Sequence, residues 1–178
     1  ELSGFLRMWC KSVIDWTEDK TAFISVVFSW DLQEAYQRAV WYRTLGYKVR
    51  VGGPAIHGTT MFAGIAEVGG HIPDVVSRHN PNATFTTRGC PNKCAFCLVP
   101  KIEPEYKELT DFPIRPIVCD NNILAASDKH FGMVCEKLSD LKDIDFNQGL
   151  DTRLLTVRHA KSISKLNTKV VRIAFDSR

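Results

Sequence analysis

From residue 83 onward the chain alternates short apolar runs with stretches of helical periodicity, and this order constrains the fold more than any other feature. Residues 83–87 read as a strand that runs directly into a group of cysteines. Residues 114–119 read as a second strand, with Pro116 marking its early or edge part. Ser127 can cap a helix whose apolar residues Phe131, Val134, Leu138 and Leu141 fall at steps of three and four. Residues 144–147 give a third strand, a helix follows over about 156–166, and residues 169–175 give a fourth strand. The order β-α-β-α-β, with one more strand in front, predicts an α/β fold built on a parallel sheet or barrel.

The first 82 residues predict a smaller α/β element. Residues 22–28 are β-branched and aromatic and read as a buried strand. Asp31 offers an N-cap with Glu34 as its capping-box partner. A helix follows over 32–45 with Leu32, Ala35, Tyr36, Ala39 and Val40 on one face, and Gly46 suits the position after its end. Residues 47–51 form a short strand broken by Gly52, Gly53 and Pro54. Residues 55–82 read as a connector with a short helix near 63–68, and residues 98–113, with three prolines, as loop. Two domains are expected, 1–82 and 83–178. The chain opens on Glu1 and stops just after a strand-like run, as expected of a piece of a longer protein.

Composition excludes several classes. At 44% hydrophobic and 24% charged residues the chain is globular, not disordered. It contains no run of about 18 apolar residues, so no transmembrane helix is expected. A formal charge of +3 is too small to imply a nucleic-acid partner, and nothing else in the sequence supports one. Seven Lys or Arg against two Asp fall between 151 and 178, which gives either a solvated helix face or a basic patch for a phosphate-bearing substrate.

The six cysteines stand at 10, 90, 94, 97, 119 and 135. A disulfide framework would spread them, whereas three of these lie within eight residues, which points to a reduced, intracellular metal site. The run Arg88-Gly89-Cys90-Pro91-Asn92-Lys93-Cys94-Ala95-Phe96-Cys97 has the spacing C-x3-C-x2-C. Thiolates ligate iron–sulfur clusters and structural zinc. Three cysteines on one loop can hold three irons of a [4Fe–4S] cube and leave the fourth without a protein thiolate. Ferredoxin spacing differs, and zinc sites usually carry a second paired element that is missing here. Cys119 and Cys135 read as buried small hydrophobes, and Cys10 beside Trp9 as structural. Two alternatives stay open: a zinc module that adds a histidine such as His130, and an electron-transfer protein whose fourth ligand is Cys119 or Cys135.

The cysteine spacing, with the aromatic Phe96 just before the third cysteine, resembles the signature of the radical S-adenosylmethionine (radical SAM) enzymes. The surrounding residues look like the form found in methylthiotransferases and cobalamin-linked members. The resemblance covers residues 83–178 and implies the first half of a partial (β/α)6 barrel. It implies that Cys90, Cys94 and Cys97 ligate three irons of a [4Fe–4S] cluster whose fourth iron is chelated by SAM. Reduction would then cleave SAM to methionine and a 5′-deoxyadenosyl radical that takes a hydrogen from an unknown substrate. Phe96 would lie beside the adenine. Asp120, Asn121 and Asn122 stand where the family carries a Gly-Gly-Glu-like segment, and would accept hydrogen bonds from the SAM ammonium. Arg153 would clamp its carboxylate, and Asp176 would bond the ribose hydroxyls. A flavodoxin- or ferredoxin-type reductant and a cytoplasmic setting follow from the same resemblance. The N-terminal element resembles the cobalamin-binding-like domain that precedes some of these barrels. No Asp-x-His-x-x-Gly follows its first strand, where Phe28-Ser29-Trp30-Asp31 stands, and His57 reads as a loop residue. Cobalamin is therefore not expected, and the element reads as vestigial packing support or a substrate platform. No G-x-G-x-x-G is present, so a dinucleotide site is not expected either.

Overall fold

A computed structural model describes residues 12–70 and 75–174. The chain divides into two compact units, Glu1–Pro81 and Asn82–Arg178.

In the first unit, β1 (Val13–Glu18) and β2 (Thr21–Val26) form an antiparallel hairpin. Its two-residue turn puts Asp19 and Lys20 at φ 44° and 61°, the left-handed geometry that matches the twist of paired strands. Trp16 stands opposite Phe23 and stacks on it at 5.3 Å. β1 was not foreseen from the sequence. Helix α1 (Leu32–Thr44) then crosses to β3 (Lys48–Gly52), which runs parallel to β2. The sheet order is β1-β2-β3-β4, with β4 (Glu67–Val68) parallel to β3. Ala35, Ala39 and Tyr42 of α1 pack in one core with Ile24, Val26 and Val51. Gly46, at φ 82°, ends the helix as expected.

Two local expectations fail here. Asp31 is the N-cap residue of α1, but its side chain makes no capping bond. A 3-10 turn over Ser29–Asp31 has already bent the chain, and Glu34 pairs with Arg38 one turn on. The helix expected near 63–68 is absent: Gly64 at φ 74° breaks a run of turns that leads into β4. A short helix, α2 (Val75–His79), lies in the stretch read as connector.

The second unit is built on β5 (Ala83–Thr84), β8 (Ile117–Val118), β9 (Ile144–Phe146) and β11 (Thr168–Val170). All pair in parallel, in the order β11-β9-β8-β5. Helix α4 (Asp128–Leu138) links β8 to β9, and α5 (Val157–Ile163) lies between β9 and β11. The strand foreseen over 83–87 is split, because β6 (Thr87–Arg88) leaves the sheet to pair antiparallel with β7 (Lys107–Glu108). Likewise the run 169–175 divides between β11 and β12 (Ile173–Ala174), the latter pairing with β10 (Leu150–Asp151). A one-turn helix, α3 (Val99–Ile102), interrupts the stretch read as loop.

Ser127 caps α4 by accepting from the His130 amide at 3.2 Å, and Thr156 and His159 close a capping box on α5. The apolar face of α4 (Phe131, Val134 and Leu138) packs with Val118, Ile144 and Phe146 in a single core. The fold is mixed α/β with mostly parallel strands. No helix among the described residues is long and apolar enough to cross a membrane.

Candidate metal centre

In a parallel sheet, the loops that leave the C-terminal ends of the strands share one edge, and sites collect there. Three such loops carry the residues singled out by sequence. The first runs from β5 through β6 to Cys90, Cys94 and Cys97. The second follows β8 and holds Asp120, Asn121 and Asn122. The third follows β9 and holds Asp151 and Arg153.

The stem of the cysteine loop is fixed by two carboxylates. Asp120 is buried and accepts from the Thr86 amide at 2.6 Å, from the Thr87 amide at 2.9 Å and from the Thr86 hydroxyl. Burial pushes its carboxyl up from the usual range, while these hydrogen bonds pull the other way. Glu103 accepts from the Gly89 amide at 2.8 Å, pairs with Arg88 and accepts from Asn121 Nδ2 at 3.1 Å. Gly89 sits at φ +72°, and a Cβ there would come within 2.2 Å of the Glu105 carbonyl oxygen. Only glycine fits where the loop turns towards Cys90. His130 donates from Nε2 to the Thr86 carbonyl at 3.0 Å, since a carbonyl can only accept.

The body of the loop is tied to the other two strand ends by Asp151. One of its oxygens accepts from Asn92 Nδ2 at 2.7 Å and Asn122 Nδ2 at 3.1 Å. Arg153 grips the same carboxylate from two nitrogens, at 2.7 and 2.8 Å. This guanidinium holds the Asp151 carboxyl below the usual range. Asn122 Nδ2 also lies 3.7 Å from Cys90 Sγ, and the Arg153 Nη atoms lie 3.7 and 3.8 Å from Cys94 Sγ. Asn122 is buried, and its Oδ1 finds no partner among the described residues.

Cys90, Cys94, Asn122 and Arg153 are therefore brought together. Cys97 shares the loop, with its amide bonded to the Cys94 carbonyl at 3.0 Å. Asp120, expected at a ligand's ammonium, is turned into the stem, and Asn121 faces Glu103. Phe96 is 75% exposed. Asp176, Cys10 and Trp9 lie outside the described residues. Cys119 and Cys135 are buried, and burial pushes their thiols up to about 12 and about 11. Cys135 belongs to the core around α4. His130 is buried, with its Nε2 committed to Thr86. Sequence reasoning passed over Asp151, Asn92, Glu103 and Thr86; the only signal for them was the polarity of the loops that carry them.

The donor set suits a cluster of several irons. The three thiols are partly exposed on one loop, and two of their sulfurs face N–H donors, which stabilise thiolate ligands. A single zinc ion needs its sulfurs about 2.3 Å away on one point. Among the described residues no three His, Cys, Asp or Glu side chains gather that way. Compared with family models, with curated proteins and with solved structures, the chain finds no match.

Proposed function

We propose that the chain carries the cluster-binding part of a radical SAM enzyme, with β5, β8, β9 and β11 as the first strands of a partial (β/α)6 barrel. One observation carries the reading. A C-x3-C-x2-C loop leaves the first parallel strand, and the ends of the next two strands send Asn122 and Arg153 towards its first two sulfurs.

Cys90, Cys94 and Cys97 would hold a [4Fe–4S] cluster, which supplies the electron for reductive cleavage of SAM at its remaining iron. The chain's own groups have separate tasks. The side-chain amide of Asn122 and the guanidinium of Arg153 would offset thiolate charge. The unpartnered Oδ1 of Asn122 is the acceptor suited to the ammonium of SAM. Arg153 meets the SAM carboxylate while it keeps its grip on Asp151. Phe96, exposed on the loop, offers a face for the adenine. A flavodoxin- or ferredoxin-type protein would deliver the electron, in a cytoplasmic setting. The first unit would serve as vestigial packing support or a substrate platform, and no cobalamin is proposed for it.

The test is electron paramagnetic resonance of the anaerobically reconstituted, dithionite-reduced chain, with and without SAM. The expected result is a reduced [4Fe–4S] signal that shifts on adding SAM and is abolished by Cys94→Ala. A colourless protein that takes up zinc and no sulfide would refute the reading. So would a cluster that survives Cys94→Ala intact.

A further inference from the structure

Among the described residues, Asp151 is the carboxylate whose hydrogen bonds join all three loops of the site. Its carboxylate accepts from Asn92 in the middle of the cysteine loop, from Asn122 after β8, and from Arg153 on its own segment. Residues 92 and 151 are 59 positions apart, and 122 and 151 are 29 apart, so no local preference of the chain makes these contacts. The side chain is only 10% exposed. Charge-assisted hydrogen bonds in such a place are stronger than neutral ones. The three nitrogens that approach the Cys90 and Cys94 sulfurs belong to two side chains, Asn122 and Arg153, that both also bond this carboxylate.

We infer that Asp151 is a positioning residue: it fixes the cysteine loop before any metal is bound, and aims Asn122 and Arg153 at the first two sulfurs. The stem bonds made by Asp120 and Glu103 end at Gly89. Beyond Gly89, side-chain ties from the loop to the second and third strands run from Asn92 to Asp151, and from the Cys90 and Cys94 sulfurs to Asn122 and Arg153, which both bond Asp151. The inference concerns the same site as the function proposed above, but its first measurement needs no cluster, so the two can fail separately.

The measurement is hydrogen exchange of the full, metal-free chain under reducing conditions. The Cys97 amide, bonded to the Cys94 carbonyl, reports the loop. The Ile144 and Asp145 amides, bonded to Asn167 and Pro116, report the sheet. Asp151→Ala is expected to speed exchange at Cys97 about tenfold or more and to leave Ile144 and Asp145 unchanged. Asp151→Asn, which keeps one acceptor, is expected to fall between. Exchange at Cys97 within about twofold of wild type in Asp151→Ala would overturn the inference. If Asp151→Ala also loosens the sheet, Asn92→Ala decides, because it cuts the same tie from the loop side. A faster Cys97 with an unchanged sheet then supports the inference, and an unchanged Cys97 overturns it. In the reconstituted chain, Asp151→Ala should also lose iron to a chelator faster. A wild-type chain that takes up no cluster would refute the proposed function and leave the loop result standing.

Discussion

Two glycines of the second unit should respond to the same substitution with opposite signs. Gly89 has φ +72°, and an added Cβ would lie 2.2 Å from the Glu105 carbonyl oxygen, 2.9 Å from its carbon and 3.1 Å from the Glu103 oxygen. All three obstacles are backbone atoms, so a rotamer change relieves none of them. The left-handed conformation alone costs an L-residue about 1–2 kcal/mol. Forcing a methyl into a packed space costs about 1–3 kcal/mol more. Gly89→Ala should therefore destabilise the unit by about 2–5 kcal/mol, or roughly 30-fold to a few thousandfold in its opening equilibrium. Gly132 is the opposite case. It lies exposed within α4, its φ is ordinary, and a Cβ would meet nothing within 4 Å. Gly132→Ala should stabilise by about 0.5–1 kcal/mol, because alanine has less freedom to lose on folding. Native-state hydrogen exchange at Ile144 and Asp145, whose amides bond to Asn167 and Pro116, reads both changes in one experiment. The reasoning fails if Gly89→Ala falls within about 0.5 kcal/mol of wild type, or if both variants shift in the same direction.

Two further predictions concern titrating groups. Glu108 accepts from the Ser127 amide at 2.5 Å and from its hydroxyl at 3.0 Å, and the amide bond is the chief reason its carboxyl lies below the usual range. A carboxyl that holds its proton less tightly in the folded chain stabilises the fold fully above its unfolded value of about 4.3, and less as pH falls through the folded value. Glu108→Gln should thus be less stable than wild type at pH 7, and urea melts should show the gap closing below about pH 4. Tyr42 donates to Asp15 at 2.5 Å, and this bond, helped by burial, pushes its hydroxyl up to about 12. Asp15→Asn should bring it back towards about 10 in an ultraviolet difference titration, with Tyr42→Phe identifying the signal. An unchanged titration would refute the assignment of the shift to Asp15.

The helices were the most legible parts of the chain. In α4 the cap at Ser127 and the apolar spacing of Phe131, Val134 and Leu138 are local patterns, and both appear as read. The end of α1 at Gly46 is of the same kind. Its start at Leu32 also appears as read, but Asp31 makes no capping bond, because the 3-10 turn over Ser29–Asp31 removes the extended geometry that a capping side chain needs. Strand β1 was missed for a different reason. Its Asp15 breaks the apolar pattern, and the partners that make it tolerable, Arg38 and Tyr42, come from α1. The parallel strands were located, but were read as longer than they are. Pro116 has no N–H to give a ladder, and β8 begins only after it.

The cysteine loop divides in the same way. Its spacing is a local property, and three thiols within eight residues mark a candidate metal site without any knowledge of the fold. How the loop is held is a property of the fold alone. The polar residues after β8 were read as ligand-facing because loops at that edge of a parallel sheet line sites. That same edge also contains the buried amides of Thr86 and Thr87, and buried amides require acceptors. Asp120 meets that requirement, which commits its carboxylate to the stem of the cysteine loop. Its neighbour two positions on, Asn122, has the group left over, an amide oxygen with no partner among the described residues. The carboxylate that does face the loop, Asp151, lies 29 residues further along and draws in partners from both earlier strand ends. A motif thus names candidate ligand atoms, while the buried donors of the loops around it decide how the neighbouring carboxylates are used.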